Sequence, residues 1–443
     1  MTTTRRSFIK GLATAVAAPF ILPSRLWAAG QGPSGRVTMG CVGMGKQMKG
    51  LLGGFLHRVQ VLAVCDVDTT RRNDAQANVD KFYTANPSKG SKGCAAFNDF
   101  RELMARKDID TVCIATPDHW HTRVTLAALQ AGKDVYCEKP LTHDLQEAID
   151  VIKGVDANKR VLQTGSMQRS MKEFRIACEL VQNGVIGKLE RVECAFGDAF
   201  RPCDLPTEKD EPGLDWNLWL GPAPVRGYNS VLSPRGLHDH FPNWRAFEEY
   251  GGGQVCDWGA HHLDIAQWGV GMDDSGPVEI IPPAKAGAKR GVVLKYANGV
   301  TVTHKDGFGV HFYGTDGEVL VNRGQFKVIV KGTVLADTTD KTKRVSCESQ
   351  VAKAEKELLK GAKIKLYDSK SHQDDFLGCV AARKKPVTSE QIGGRSAICC
   401  HLMNLAYKYN KAIKWDPAKF AFAGGTGDPK WFTIDSRDPW KKA

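Results

Sequence analysis

The chain has 443 residues, of which 42% are hydrophobic and 25% charged, and it carries a formal net charge of +12. These proportions are typical of a folded globular protein and exclude a largely disordered chain, and the length predicts two domains of ordinary size. The basic residues are scattered, without a block of five or a stripe of interleaved aromatics, so we expect no nucleic-acid partner.

The first 29 residues have the parts of an export signal. Arg5 and Arg6 precede a modest apolar stretch from Gly11 to Leu22, and small residues follow at a plausible cleavage point. The stretch is too short for a permanent membrane anchor. It resembles the twin-arginine signal, which exports proteins that fold before export, often around a cofactor. We therefore predict a signal peptide over residues 1–29, an exported or periplasmic location, and no integral membrane segment after its removal.

A glycine-rich turn follows the first predicted strand. The strand Val37 to Val42 runs into Gly43-Met44-Gly45, and a helix follows to about Leu56. Gly43 permits a tight turn, and Gly45 lets the backbone approach a pyrophosphate. The helix start offers free N–H groups to the phosphates.

An acidic residue ends the second predicted strand. The strand Val59 to Cys65 ends at Asp66, which lies 21 residues past Gly45. That spacing is expected of the acid that binds the ribose hydroxyls of a dinucleotide. Because strands and helices then alternate, we predict an NAD(P)-binding Rossmann domain over residues 36–165, an α/β unit with a doubly wound parallel sheet.

Two features of this domain leave alternatives open. The position of the third glycine in the dinucleotide fingerprint holds Met48, so helix and strand cannot approach as closely there. Asp66 favours NAD over NADP because a carboxylate would repel a 2′-phosphate. Arg71 and Arg72 lie just beyond and could accept such a phosphate, or could equally be surface residues of the following helix.

Polar side chains also follow two later strands of the predicted sheet. The strand Asp110 to Ala115 runs into a Thr-Pro-Asp-His-Trp-His loop, and the strand Asp134 to Cys137 runs into Glu-Lys-Pro. Doubly wound sheets bind their ligands at the carboxyl ends of the strands. We therefore expect these loops to contact the cofactor through Thr116, Pro117, His119, His121, Glu138 and Lys139.

An aspartate and a histidine lie four residues apart after a glycine cluster in the second half. If Asp257 to His261 is the first turn of a helix, the two side chains share a face, and Asp257 could also be the N-cap. Oxidising an alcohol needs a base for the hydroxyl proton, which histidine can supply, and a carboxylate can orient its ring. Lys139 can stabilise negative charge on the same oxygen. The alternative is that all three are surface residues.

The pair Glu138-Lys139-Pro140 and Asp257-x-x-x-His261, in that order, resembles the Gfo/Idh/MocA oxidoreductases, the family of glucose–fructose oxidoreductase and inositol dehydrogenase. The resemblance spans about residues 36–415. It implies NAD or NADP as cofactor, a sugar or polyol as substrate, and catalytic roles for Lys139, Asp257 and His261. The hydride mechanism needs no metal, so we expect none. A homo-oligomer is also implied, because an open sheet face commonly mediates dimers in this family.

The remainder of the chain has the pattern of an antiparallel sheet. Strand-like runs separated by turns such as Asn298-Gly299 predict such a sheet, and the resemblance implies an α+β domain whose large open sheet covers the cofactor. We place this substrate and oligomerisation domain over residues 166–415 and a C-terminal tail over 416–443. Two helices are expected between Ser369 and Lys411, packed against both other parts.

Five residues are predicted on the substrate side. Gln168 and Arg169 lie where the family's substrate groove would be. Trp244 and Arg245 belong to an aromatic-rich insertion and could stack on a sugar ring and bond its hydroxyls, or could simply be packing residues of a long loop. His262 should point sideways from His261, either toward the substrate site or as a structural residue.

Three functions remain open from the sequence. The first is oxidation or reduction of a sugar or polyol CH–OH group, with the cofactor tightly retained because an exported protein meets no free pool of it. The second is an NAD-dependent glycosidase that oxidises, eliminates, hydrates and reduces within one cycle. The third is a sugar-binding protein on a retired enzyme scaffold, against which Lys139, Asp257 and His261 argue.

Overall fold

The computed structural model describes residues 35–340, 342 and 345–437. The expected signal peptide over residues 1–29 lies outside the described residues. Within the part that is described, no helix has both the length and the apolar character needed to cross a membrane.

The first domain is built from six strands and five helices. Its strands are β1 Thr38–Val42, β2 Gln60–Cys65, β3 Ala95–Phe97, β4 Thr111–Ile114, β5 Asp134–Cys137 and β6 Leu162–Thr164. Its helices are α1 Lys46–Phe55, α2 Thr69–Ala85, α3 Phe100–Ala105, α4 Asp118–Gln130 and α5 Leu145–Asn158. All the strand pairs are parallel and follow the order β3-β2-β1-β4-β5-β6. The chain therefore forms the predicted doubly wound sheet, whose strand order reverses between β1 and β4.

Within the part of the chain that the structure describes, the second domain contains ten strands. They are β7 Leu189–Ala195, β8 Glu279–Ile281, β9 Val293–Lys295, β10 Thr301–Lys305, β11 Val310–Gly314, β12 Gly317–Asn322, β13 Gln325–Val330, β14 Thr333–Asp337, β15 Ile413–Asp416 and β16 Ala421–Ala423. Their order is β14-β13-β12-β11-β7-β10-β9-β8-β15-β16, and every pair except β7 with β10 is antiparallel. The predicted mostly antiparallel sheet is confirmed.

Seven helices accompany this second sheet. They are α6 Lys172–Gln182, α7 Trp216–Leu220, α8 Gly253–Asp257, α9 Gly259–Val270, α10 Cys347–Leu358, α11 His372–Ala382 and α12 Glu390–Tyr409. Helices α6, α9, α10 and α12 pack against strands of the sheet. Val192, Phe312 and Trp268 belong to the largest apolar core, which fills this interface.

The C-terminal third of the chain ties the two domains together. Phe376 of α11 makes edge contacts with Phe55 and Tyr136 of the first domain, while α12 contacts both α5 and α9. This is the packing expected for the two helices. Beyond residue 416, where the tail is predicted to begin, β16 pairs with β15 and the Arg437 backbone N–H donates to the Pro222 carbonyl.

Met48 in the third glycine position is explained by packing. Its side chain is 1% exposed and lies in the apolar core of the first domain with Met44, Leu52 and Phe55. A glycine there would bring helix and strand together, whereas the methionine fills the space between them. The fingerprint therefore departs from its usual form without placing a side chain in the phosphate-binding turn.

Met48→Ala should lower the free energy of unfolding by about 2–5 kcal/mol, because it leaves a cavity in this core. Gly50→Ala on the same helix is the matched control, since a methyl group there meets nothing within 4 Å. The control should raise stability by roughly 0.5–1 kcal/mol. Chemical denaturation of both variants measures the two effects, and an unchanged midpoint for Met48→Ala would contradict the packing role.

Candidate active site

The glycine turn after β1 is shaped for close approach of a ligand. Gly43 has a φ of +87°, and a Cβ there would lie 2.7 Å from the Thr116 nitrogen, so only glycine fits. A Cβ at Gly45 would meet nothing within 4 Å, and no side chain caps the helix that starts after it. Open space and uncapped N–H groups at a helix start fit the pyrophosphate of a dinucleotide.

Asp66 holds this turn in place. Its carboxylate accepts from the backbone N–H of Met44 at 2.6 Å and from that of Asp68 at 2.8 Å. Burial raises the pKa of Asp66, and nearby Arg71 opposes that rise. The acid thus lies beside the phosphate-binding turn, at the end of β2, where a ribose would bind.

The two arginines after Asp66 are engaged by the protein itself. Arg71 is buried, and its guanidinium donates to Ser233 Oγ at 3.2 Å and to the carbonyls of Pro234 and Gly236. Arg72 donates to the Asp66 carbonyl at 2.8 Å. Arg71 is therefore not a surface residue, and neither guanidinium is free to await a 2′-phosphate.

A segment of the second domain covers the turn. Residues 232–245, which we call the covering segment, form one wall of a cleft whose other wall includes Gly43, Gly45, Asp66, Thr116 and Pro117. Asp239 pairs with Lys46 at 2.5 Å, and the His238 carbonyl accepts from Lys49. We call this space the cofactor cleft. Five residues predicted to bind the cofactor therefore line one wall together.

A second cavity of about 320 Å³ adjoins the cofactor cleft and shares Gln47, Thr116, Trp244 and Arg245 with it. We call it the catalytic cavity. Its wall contains all three residues predicted to be catalytic, which are Lys139, Asp257 and His261. His121 and Glu138 also line it. The structure thus brings together side chains that lie more than 100 residues apart in the chain.

Lys139 and Asp257 form an ion pair between the two domains. The Lys139 Nζ atom lies 2.5 Å from Asp257 Oδ1 and also donates to the Asp257 carbonyl at 3.0 Å. Arg245 Nε lies 3.6 Å from the same Oδ1 atom. Burial opposes the charge, but Lys139 and Arg245 outweigh it and hold the pKa of Asp257 below its usual value. Asp257 is therefore ionised at neutral pH.

His261 is neutral and lacks the predicted carboxylate partner. Asp257 ends α8 and does not cap α9, which corrects the expectation that it could be the N-cap. Its side chain turns to Lys139, which corrects the expectation that it orients the His261 ring. The Nδ1 atom of His261 has no hydrogen-bond partner among the described residues. Burial, together with Lys139 and Arg323, holds the pKa of His261 well below its usual range. The ring is therefore neutral at neutral pH, and one of its two nitrogens then carries no hydrogen and can act as a hydrogen-bond acceptor.

The loops after β4 and β5 are braced against each other. His121 places Nδ1 at 2.7 Å from the Pro140 carbonyl and Nε2 at 3.0 Å from the Thr116 carbonyl. Glu138 accepts from the Gln47 amide at 2.9 Å, and a Cβ at Gly165 would lie 2.6 Å from its carboxylate. These contacts fix the strand ends that carry Lys139.

Three predicted site residues lie away from both cavities, which corrects the expectation of direct contact. Arg169 pairs with Asp264 at 2.8 Å and with Asp273 at 2.7 Å in the protein interior. His262 directs Nδ1 at the Ala195 carbonyl, 2.8 Å away. His119 has Nε2 at 3.1 Å from the Trp219 carbonyl, among aromatic rings. All three are buried structural residues here.

Gln168 lies behind His261 rather than in the cavity wall. Its amide satisfies both neighbours when the nitrogen donates to the His261 carbonyl at 3.2 Å and the oxygen accepts from Arg323 Nε at 3.3 Å. Trp244 and Arg245 do line the cavity, and the guanidinium stacks 4.2 Å from the Trp244 ring centre. Trp244 itself is 5% exposed, so it is also a packing residue of the insertion.

The wall of the catalytic cavity also contains residues that were not singled out from the sequence, among them Gln47, Asp118, Trp258 and Arg323. Trp258 follows Asp257 directly, and Gln47 follows the glycine turn, so their positions next to predicted site residues could have indicated both from the sequence. Arg323 lies in the turn between β12 and β13 and belongs to no motif. Within the described ranges, no group of three His, Cys, Asp or Glu side chains is arranged to hold a metal ion.

Comparison with known families agrees with this geometry. Residues 37–166 match the model of the Gfo/Idh/MocA oxidoreductase family, NAD-binding Rossmann fold, and residues 200–442 match the model of its C-terminal alpha/beta domain. The chain belongs to the Gfo/Idh/MocA oxidoreductase family. The first domain is therefore an NAD-binding Rossmann domain, and the resemblance inferred from the motifs is confirmed.

Individual relatives are more distant. An inositol 2-dehydrogenase of Rhodococcus jostii is 34% identical over 106 residues, which cover 24% of this chain and 29% of that protein. A glycosyl hydrolase family 109 protein of a Shewanella species is 29% identical over 210 residues, 43% of this chain and 45% of that one. The chain thus spans less than half the length of these curated relatives.

A solved structure extends the likeness of fold over most of the chain. The WlbA dehydrogenase of Bordetella pertussis, in complex with NADH and UDP-GlcNAcA, superimposes with a TM-score of 0.58. The match covers 86% of this chain and 97% of that one at 16% identity. At that identity the comparison shows a shared fold.

The buried His262 leads to a prediction about the pH dependence of the free energy of unfolding. Burial lowers the pKa of His262 to about 4, whereas an unfolded histidine titrates near 6.5. The unfolded state therefore binds one more proton between these values, and stability falls as the pH falls through this window. In His262→Asn, the loss of unfolding free energy between pH 6 and pH 5 should be about 1 kcal/mol smaller than in the wild type.

His57→Asn, which removes an exposed histidine, is measured alongside as the control. Denaturant titrations at the two pH values measure the loss. An equal loss in His262→Asn and the wild type would show that His262 is not held neutral in the folded protein.

Proposed function

We propose that this chain is an NAD-dependent oxidoreductase that acts on a CH–OH group of a sugar or polyol. The observation that carries the proposal is the catalytic cavity, where Lys139, Asp257 and His261 lie beside the cofactor cleft. Membership of the oxidoreductase family and the similarity to an inositol 2-dehydrogenase support the substrate class.

The residues divide the work between binding and proton transfer. Gly43, Gly45 and Asp66 would hold NAD, which supplies the hydride acceptor when it is bound. The neutral His261 ring accepts the proton of the substrate hydroxyl. Lys139 donates a hydrogen bond to the same oxygen and stabilises the charge that develops there. The ion pair with Asp257 keeps the ammonium of Lys139 in position.

NAD is favoured over NADP by the surroundings of the ribose site. Asp66 lies at the end of β2, and Arg71 is held by the covering segment rather than offered to a phosphate. The two cofactors differ only in the 2′-phosphate, which would face this carboxylate. NADP would therefore need Arg71 to leave its present partners.

The covering segment supports tight retention of the cofactor. It forms the wall opposite the glycine turn, and the buried Arg71 holds its residues 233, 234 and 236. A bound dinucleotide would be enclosed between turn and segment. Such retention suits the predicted export by the twin-arginine route. Export and the predicted homo-oligomer remain predictions, which cell fractionation and light scattering would test.

A second candidate is an NAD-dependent glycosidase, which the similarity to glycosyl hydrolase family 109 proteins favours. Both activities use the same base and the same lysine, so the cavity alone does not separate them. Incubation with a glycan library does. Release of free sugar without net NADH supports the glycosidase, whereas a keto-sugar or stoichiometric NADH supports the oxidoreductase. A sugar-binding protein without activity is disfavoured, because it has no use for the clustered Lys139, Asp257 and His261.

Lys139→Ala should lower kcat by about 10²–10³-fold, because the developing charge on the substrate oxygen loses its hydrogen-bond donor. NAD binding, measured by ultrafiltration of the purified protein, should stay nearly unchanged. Lys153→Ala on α5 is the control, since that lysine is exposed and does not line the catalytic cavity. Equal turnover in Lys139→Ala and the wild type would remove Lys139 from the mechanism.

Arg71→Met should speed the dissociation of bound cofactor, because the covering segment loses the donor that holds it. The rate is measured by displacement of NADH fluorescence after dilution. NAD and NADP should be affected alike. A loss confined to NADP would instead assign the guanidinium to the 2′-phosphate, and unchanged rates for both would refute the holding role.

A further inference from the structure

The wall of the catalytic cavity contains three cationic side chains and three carboxyl groups. Lys139, Arg245 and Arg323 are the cations, and Lys139 and Arg245 both approach the single Oδ1 atom of Asp257, at 2.5 and 3.6 Å. The other two acids, Asp118 and Glu138, are buried. Two of the three cations thus approach the one carboxylate that is held in the ionised form.

The two buried acids are less readily ionised than Asp257. Burial raises the pKa of Asp118 well above its usual range, against the opposing effect of Arg245 and Lys139. Burial likewise raises the pKa of Glu138, which already accepts from the Gln47 amide and the Lys139 backbone. Both carboxyls therefore favour their neutral forms more than an exposed acid does.

Arg323 is the cation that Asp257 does not hold. Its guanidinium lies 4.8 Å from the ring centre of Trp258, and its Nε atom donates to the Gln168 oxygen. Among the residues that the structure describes, Arg323 makes no ion pair. Glu173 of α6 accepts from the neighbouring Gly324 backbone N–H at 3.1 Å.

Stacking and the Nε contact leave the outer edge of the guanidinium available. That edge carries two parallel N–H donors, the geometry that binds a carboxylate or a phosphate through two hydrogen bonds. Trp258 is 38% exposed and also contacts His261, with ring centres 6.0 Å apart. A ligand that reaches the proton-accepting histidine therefore passes an oriented cation.

We propose that the substrate is an acidic sugar or polyol, whose oxyanion group binds Arg323 while its reacting hydroxyl lies at His261 and Lys139. This inference rests on the proposed function and adds the substrate class to it. The shared chemistry is an oxyanion on the carbohydrate, either a carboxylate or a phosphate, and the experiment distinguishes the two.

The experiment measures binding to the full NAD-loaded protein by isothermal titration calorimetry. Three series are compared, built on glucose, galactose and myo-inositol, each with its neutral, carboxylated and phosphorylated members where these exist. In at least one series an acidic member should bind about 10–100-fold more tightly than the neutral one at low salt. The preference should shrink as salt is added.

Arg323→Gln should remove this preference while leaving the affinity for the neutral member within about twofold. Arg191→Gln is the matched control. Arg191 stacks on the ring of Tyr313, as Arg323 stacks on Trp258, but Arg191 does not line the cavity. Thermal unfolding of both variants checks that the fold is intact. In the wild-type protein, the acidic member that binds more tightly, carboxylated or phosphorylated, identifies the oxyanion group that Arg323 binds.

Two outcomes overturn the inference. If neutral members bind as tightly as the acidic ones, or if Arg323→Gln keeps the preference, Arg323 does not select the substrate, and the proposed oxidoreductase function stands unaffected. If the NAD-loaded protein binds no member of any series, the acidic-substrate inference and the proposed function fail together.

Discussion

The ion pair of Lys139 and Asp257 is the contact on which the arrangement of the site depends. Lys139 follows the last residues of β5 in the parallel sheet, and Asp257 ends a five-residue helix of the other domain. Both side chains are largely buried, and removing one partner of such a pair leaves an uncompensated charge. The pair therefore fixes the distance between the domains at the point where their cavities meet.

Several consequences follow from where the pair lies. Because Asp257 turns to Lys139, His261 keeps a ring nitrogen that has no hydrogen-bond partner among the described residues. Burial, together with Lys139 and Arg323, keeps that ring neutral. Arg245 is drawn to the same carboxylate as Lys139, which brings the end of the covering segment over both cavities. One carboxylate thus sets the position of the lysine and the place of the segment that closes the cleft.

The sequence predicted the parts of the site that depend on backbone topology. Gly43, Gly45 and Lys139 lie at strand ends, and parallel strands bring those ends to one edge of a sheet. The sequence-based prediction failed for residues whose contact with the site depends on the direction of the side chain. Arg169 and His262 neighbour site residues in the chain, yet they point into the core, because a helical or 3₁₀ turn sends adjacent side chains to different sides. Arg323 escaped notice because a turn between two strands has no periodic pattern, and its proximity to Asp257 arises only from long-range packing.

The contacts of the covering segment have a consequence for how the protein acquires its cofactor. Arg71 is buried and holds carbonyls that lie more than 160 residues later in the chain. Exchange of an enclosed dinucleotide then requires that these contacts open together, as a local unfolding event with the steep temperature dependence of unfolding. Under the retention that we propose, such a dinucleotide would in kinetic terms be a component of the fold, and its occupancy would be decided when the chain folds rather than by the concentration outside.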